Sequence, residues 1–304
     1  MPTAPVATRI RLLLVEDDAH DVELTRRKLA QQREAAFDIT QVPRLADALP
    51  IVQRGGIDAV LLDLSLPDAS GMAGLRELAL AIPLTPIVVL TGNEHWEASL
   101  RALRNGAQEY LQKGRHDAQR LAQAICHAIE RKRFEARLIE RANFDHLTGL
   151  PNRPVFLERL EHAIARNRRA GGRIGVMFID LDGFKQINDS LGHEAGDQAL
   201  GLVAQQLRRA VRESEMVARF GGDEFTVLLD PVSHEDAAAL VARRLLSAFE
   251  EPMPVDATHI RLSLSIGIAL FPQHADNAEE LLRFADAAMY RAKSTGRSSY
   301  TVHA

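Results

Sequence analysis

MVARFGGDEFTVLL, Met216–Leu229, sets the character of the second half of the chain. Met216–Phe220 and Glu224–Leu229 are two strand-like runs, and Gly221–Gly222, with Asp223 near the turn, joins them. A glycine pair between two such runs predicts a β-hairpin, because a two-residue turn needs positive φ. A tip without side chains lets phosphates approach the backbone, and Asp223 and Glu224 place two carboxylates beside it.

Outward from the hairpin, Ile174–Ile179 is an apolar strand ending in Asp180, Leu181 and Asp182. Gly183, Phe184 and Lys185 follow, then a polar segment through Asn188 and Gly192 to Asp197. Gln198–Arg212 and Ala237–Phe249 read as helices, Arg261–Ile268 as a strand and Asn277–Lys293 as a last helix capped by Gly296. The pattern predicts an α+β sheet with antiparallel pairs. Asp180, at the end of another strand, would share a cation with Asp223, and two carboxylates suit Mg²⁺ carrying a triphosphate. Lys293 and Arg297 stand four apart at a helix end, a spacing suited to β- and γ-phosphates. Asn188 offers an amide and Asp197 an acceptor-only carboxylate, which match the N1–H and exocyclic amine of guanine.

The first half alternates strand and helix. Strands are expected at Ile10–Val15, Phe37–Val42, Ala59–Leu62, Ile87–Leu90 and Glu109–Gln112. Helices are expected at Ala19–Gln32, Leu45–Gln53, Met72–Ala81, Glu94–Arg104 and from Asp117. Five such units predict an open, doubly wound parallel sheet with its site outside the carboxyl ends of the strands. Glu16, Asp17 and Asp18 follow the first strand, Asp63 the third, Thr91 the fourth and Lys113 the fifth. Clustered carboxylates suit Mg²⁺, which with a nearby Lys neutralises an incoming phosphoryl group. A carboxylate then serves as its nucleophile, giving an acyl phosphate.

Asp117–Ala142 contains no Pro or Gly, and Ile125, Ile129, Ala136 and Ile139 fall near heptad spacing, interrupted by Lys132. A dimer-forming helix is favoured over an amphipathic helix packed on its own domain. Arg131, Lys132, Arg133, Arg137 and Arg141 form a run broken by Glu135 and Glu140, which reads as a solvated face. The net charge of −4 is a poor footprint for duplex nucleic acid. No apolar run approaches the roughly 18 residues of a membrane span. Cys126 is the single cysteine, as expected in a reducing cytoplasm, and 304 residues are enough for two domains.

Residues 9–115 resemble the response-regulator receiver domain through LLLVEDD, LLDLSLPDASG, PIVVLTG and GAQEYLQKG. The resemblance implies a flavodoxin-like fold with Asp63 as phosphoacceptor. It implies metal contacts from Glu16, Asp17, Asp63 and the Ser65 carbonyl, with Thr91, Tyr110 and Lys113 as the switch set. Gly114 departs from the family, which usually has Pro there. Residues 143–304 resemble the GGDEF diguanylate cyclases. The matching pieces are DHLTGLPNR at Asp145–Arg153, FIDLDGFKQIND at Phe178–Asp189, LGHEAGD at Leu191–Asp197, the pentapeptide at Gly221–Phe225 and YRAKSTGR at Tyr290–Arg297. That resemblance implies a palm-like fold condensing two GTP into cyclic di-GMP with Mg²⁺ or Mn²⁺. Asp180, the Leu181 carbonyl and Asp223 would bind metal. Asp223 would also assist deprotonation of the attacking hydroxyl, and Glu224 would support the second metal or the base network. Phe184, Lys185, Asn188, His193, Asp197, Gly221, Gly222, Lys293 and Arg297 would line the GTP site. The family's product-inhibition motif is Arg-x-x-Asp; here it reads Arg212 to Glu215, so weaker inhibition is expected.

The organisation expected is a receiver at 9–116, a helical linker at 117–142 and a cyclase domain at 143–304. The function expected is that of a cytoplasmic, homodimeric two-component regulator. A histidine kinase or phosphotransfer protein would phosphorylate Asp63 and so activate the cyclase. The rival reading is an inactive module that senses GTP or cyclic di-GMP. A third is an always-active cyclase on a receiver scaffold.

Overall fold

The computed structural model describes residues 8–32, 35–69, 71–92, 96–255 and 258–304. The chain divides into two compact units, Met1–Leu138 and Ile139–Ala304.

The first unit runs β1 (Thr8–Val15), α1 (Ala19–Ala30), β2 (Ala35–Val42), α2 (Leu45–Gln53), β3 (Ala59–Asp63), α3 (Met72–Ala81), β4 (Ile87–Thr91), α4 (Trp96–Arg104), β5 (Glu109–Gln112) and most of α5 (Ala118–Asn143), whose last five residues belong to the second unit. Residues 94 and 95 of the expected fourth helix lie outside the described residues. The sheet order is β2-β1-β3-β4-β5 and every pair is parallel. Alternation along each strand builds two apolar layers. Leu13, Val15, Val60, Leu62 and Val89 pack with α2 and α3. Leu12, Leu14, Leu61, Val88 and Leu90 pack with α1 and α5. Full burial of each such side chain contributes about 1.5–3 kcal/mol. The strand order reverses between β1 and β3, which opens a crevice at their carboxyl ends. Gly114, at φ 78°, turns the chain after β5.

One expectation is corrected on α5. Ile125 and Ile129, assigned by heptad spacing to a dimer seam, are buried in the unit's own core with Leu121, Ala124 and Ala128. The sheet needs a cover on that face, and the helix supplies it. Only the distal part presents apolar side chains to solvent: Phe134, Leu138 and Ile139 are 57%, 50% and 58% exposed.

The second unit runs α6 (Arg153–Ala170), β6 (Ile174–Asp182), α7 (Phe184–Leu191), α8 (His193–Ala210), β7 (Met216–Gly221), β8 (Glu224–Leu229), α9 (Glu235–Ser247), β9 (Met253–Val255), β10 (Thr258–Ile260), β11 (Ser263–Phe271), α10 (Ala278–Thr295) and β12 (Ser299–Val302). Its main sheet is ordered β12-β11-β6-β8-β7, antiparallel except between β11 and β12. The polar segment read between Gly183 and Asp197 is largely helical. Helix α7 is eight residues long and buries only Phe184 and Ile187, too few positions for a visible period. Helix α8 starts at His193, five residues ahead of the expected Gln198.

Strand β6 is buried at all nine positions, so Asp180 and Asp182 lie within the strand rather than beyond it. Alternation explains how. Met177, Ile179 and Leu181 face one core layer, with α7 and α8. Val176 and Phe178 face the other, with α6 and α10. Asp180 and Asp182 continue that second face, where polar partners meet them. Asp182 accepts hydrogen bonds from the Ser263 and Ser265 hydroxyls, both at 2.8 Å.

Candidate functional site

Each unit gathers polar side chains at strand ends. In the first, Lys113 Nζ lies 2.7 Å from Glu16 Oε2, 2.7 Å from Asp21 Oδ2 and 2.9 Å from Asp63 Oδ2. Glu16, Asp63 and Thr91 are buried, while Asp17 and Ser65 are exposed. The Ser65 amide donates to Asp63 Oδ1 at 3.1 Å. Tyr110, on β5, is half-buried against the α2–α3 layer. Burial pushes the Glu16 carboxyl up, and the Asp63 charge adds to that against the pull of Lys113. The three carboxylates hold Lys113 as a cation well above its ordinary range, despite its burial. Glu16, Asp17 and Asp63 each offer an oxygen within 4.8 Å of the others, the one such trio of possible metal ligands among the described residues. An all-oxygen, acidic set of this kind fits a hard divalent cation.

In the second unit, Gly221 pairs with Glu224, so the two-residue loop is Gly222–Asp223 rather than Gly221–Gly222. Gly222 sits at φ 53°, a conformation that side chains disfavour. The hairpin is held at both ends. The Leu181 amide donates to the Asp223 carbonyl at 3.3 Å. The Arg219 guanidinium donates to the Gly222 carbonyl at 2.7 and 3.1 Å and to the Asp145 carboxylate at 2.9 and 3.1 Å. Asp145 also accepts from the Thr148 amide and hydroxyl. Although burial opposes it, these bonds hold its carboxyl below the ordinary range.

Asp180 stands opposite Glu224 in the β6–β8 register. Lys293 Nζ reaches Asp180 Oδ1 at 2.7 Å, and this contact raises the lysine. Burial lifts the Asp180 carboxyl, against the pull of Lys293. Glu224 is raised by burial and then by the charges of Asp286, Asp180 and Asp223. Asp180 thus feels the Asp223 charge, and the Leu181 amide bonds the Asp223 backbone, which brings β6 and the hairpin tip together; carboxylate and carbonyl oxygens of this kind suit Mg²⁺ or Mn²⁺.

The remaining candidates surround α7 and α8. Phe184 is buried, Asn188 half-buried, and Lys185, His193 and Asp197 are exposed. Arg297 is not paired with Lys293 along one helix, because α10 ends at Thr295. It lies in the following turn at φ 57° and lines a cavity of about 550 Å³ with Asp182, Gly183 and Arg261. Arg212 and Glu215 line a separate cavity of about 590 Å³ with Arg159, Arg166 and Arg208. Glu215 Oε2 accepts from the Arg212 amide at 2.7 Å and from Arg244 at 3.3 Å.

Three residues at these sites carry no motif-level signal of their own: Asp21, Arg219 and Asp286. Each meets its partners only through the fold. Asp182 lies inside the quoted FIDLDGFKQIND stretch, but its partners Ser263 and Ser265 reach it only through the fold.

Two family models match the chain: the diguanylate cyclase GGDEF domain over residues 142–299 and the response regulator receiver domain over residues 12–126. The chain belongs to the GGDEF diguanylate cyclase family and carries an N-terminal receiver domain. Over 165 residues it is 45% identical to the diguanylate cyclase TpbB of Pseudomonas aeruginosa, covering 54% of this chain and 38% of that protein. Over 164 residues it is 41% identical to the cyclic di-GMP phosphodiesterase NbdA of the same species, covering 54% of this chain and 21% of that protein. The chain thus spans well under half the length of these curated relatives. The solved GGDEF domain of TpbB is 44% identical, with a TM-score of 0.52 over 53% of this chain and 95% of that one. No helix among the described residues is long and apolar enough to cross a membrane.

Proposed function

We propose that this chain is a cytoplasmic response regulator whose output unit condenses two GTP into cyclic di-GMP, releasing two pyrophosphates, under control of Asp63. The observation that carries this reading is the convergence of Asp180, Asp223, Glu224 and Lys293 on one braced hairpin. A degenerate sensor would be free to lose that set; here the pentapeptide Gly221–Phe225 is whole.

Asn188 and Asp197 read the guanine edge, with Phe184 and His193 beside it. Lys185, Lys293 and Arg297 meet the phosphates, which approach over Gly221 and Gly222. Asp223 accepts the proton of the 3′-hydroxyl as that oxygen attacks the α-phosphate of the other GTP, and Glu224 supports it. Asp180, the Leu181 carbonyl and Asp223 would hold Mg²⁺ or Mn²⁺, which when bound neutralises triphosphate charge. One unit binds one GTP, so the reaction requires two copies face to face. The exposed Phe134, Leu138 and Ile139 of α5 give a second copy an apolar stripe to pair with.

In the receiver, Asp63 takes a phosphoryl group from a histidine kinase or phosphotransfer protein. The carboxylate oxygen forms the new O–P bond as the donor's N–P bond breaks, and the imidazole keeps the electron pair and takes up a proton. Lys113 and Thr91 then face the phosphoryl oxygens, and Tyr110 follows the change. Glu16, Asp17, Asp63 and the Ser65 carbonyl would hold Mg²⁺ there. Beryllofluoride or acetyl phosphate is expected to raise wild-type turnover by about 5- to 150-fold, the ordinary span of a coupling between sites. Asp63→Asn is expected to show no stimulation. Equal stimulation of both proteins rules out control through Asp63.

Feedback by product is expected to be weak. Glu215 carries its carboxylate one methylene further out than Asp, and Arg244 and the Arg212 amide already engage it. Titrating cyclic di-GMP against initial rates should give an inhibition constant about tenfold lower for Glu215→Asp than for wild type, a difference of one misplaced hydrogen bond. Equal constants would show that Glu215 serves as well as Asp.

A further inference from the structure

We infer that Gly196 is a positioning residue for the guanine-reading amide of Asn188, and that its missing side chain is what seats that amide. The inference rests on the reading of Asn188 given above. Gly196 lies in the first turns of α8, immediately before Asp197, and glycine is a poor helix former. Its backbone makes an ordinary helical bond, N–H to the Gly192 carbonyl at 3.2 Å. Its φ lies outside the left-handed range, so backbone freedom is not what the position needs.

Space is. A Cβ at Gly196 would lie 1.9 Å from Asn188 Oδ1, 3.0 Å from Asn188 Cγ and 3.4 Å from Phe184 Cζ. The Asn188 amide therefore rests against the bare backbone of α8, and a heavy atom fills that space whichever way the amide is turned. The two groups proposed to read guanine, the Asn188 amide and the Asp197 carboxylate, come from different helices. The Asn188 amide touches α8 at Gly196, the residue next to Asp197. A methyl group here collides with the end of one short side chain and not with backbone. The amide must turn away, while α7 and α8 keep their places. Gly201, later in the same helix, has nothing within 4 Å of its Cβ position and serves as the control.

Initial rates of the full chain against GTP, together with thermal unfolding, test this in wild type, Gly196→Ala, Asn188→Ala, the double variant and Gly201→Ala. Gly196→Ala should raise KM about tenfold, the worth of one lost hydrogen bond. Its kcat should stay within about twofold and its unfolding midpoint close to wild type. Gly201→Ala should behave as wild type. In the Asn188→Ala background the methyl has room, so adding Gly196→Ala should cause no further loss. A wild-type KM for Gly196→Ala, or a penalty that adds in full to that of Asn188→Ala, overturns the inference. If Asn188→Ala alone keeps a wild-type KM, the assignment of Asn188 to guanine fails and takes the inference with it. A raised KM for Asn188→Ala beside an unchanged Gly196→Ala strikes the inference alone.

Discussion

Asp223→Ala should lower cyclic di-GMP formation by about 10³-fold or more and leave the unfolding midpoint nearly unchanged. The half-buried side chain sits in the two-residue loop of the β7–β8 hairpin. Its removal leaves the loop's supports intact, because Leu181 bonds the Asp223 backbone carbonyl and Arg219 bonds the Gly222 carbonyl. What is lost is the carboxylate proposed to face the reacting phosphate and hydroxyl. Electrostatic stabilisation at such a centre is worth several kcal/mol, and about 4 kcal/mol corresponds to the stated loss. Rates measured with GTP and Mg²⁺, beside circular dichroism of the same samples, check both halves of the expectation. A folded variant within tenfold of wild type would remove Asp223 from the chemistry.

Gly267→Ala should destabilise the second unit by about 3 kcal/mol or more, lowering its midpoint by about 6–12 °C. Gly267 lies on β11, paired with Phe178 of β6 and Thr301 of β12. Its flanking residues Ile266 and Ile268 face the α7–α8 layer, so Gly267 faces α10. A Cβ there would stand 1.9 Å from the Ala285 carbonyl oxygen and 2.1 Å from the Met289 amide nitrogen. These are backbone atoms of a helix that packs Ala285 and Met289 into the core, so no side-chain rotation relieves the clash. Helix α10 must lift, and it carries Lys293 away from Asp180 as it does so. Thermal or urea unfolding measures the first effect and KM for GTP the second. An unchanged midpoint would mean that the close helix–sheet contact at Gly267 is not part of the stable fold.

The first unit was highly legible in the sequence, because β3, β4 and the end of β1 are short continuous apolar runs and the candidate site residues sit where those runs stop. Met72–Ala81 and Glu109–Gln112 have the bounds that the pattern predicts, and Asp63 ends β3 within a buried strand. The seam on α5 misled because isoleucines at heptad spacing look alike whether a second copy or the chain's own sheet covers them. Ile125 and Ile129 face the sheet. In the second unit, the hairpin and the last helix were legible from glycines and period. Helix α7 was not, since two buried positions cannot define a period. Nor were the tertiary partners. Arg219 lies 74 residues from Asp145, and Asp182 lies 83 from Ser265. Pairs so far apart in the chain are joined by topology, and a single sequence carries no trace of which polar residues will meet.

The most direct test is to identify the product of the wild-type chain incubated with GTP and Mg²⁺, with and without beryllofluoride, by mass spectrometry and pyrophosphate assay. The expected result is cyclic di-GMP with two pyrophosphates per product, formed faster when the phosphoryl mimic is present. Unconsumed GTP under both conditions, with the protein folded and binding nucleotide, would contradict a cyclase and leave a sensor.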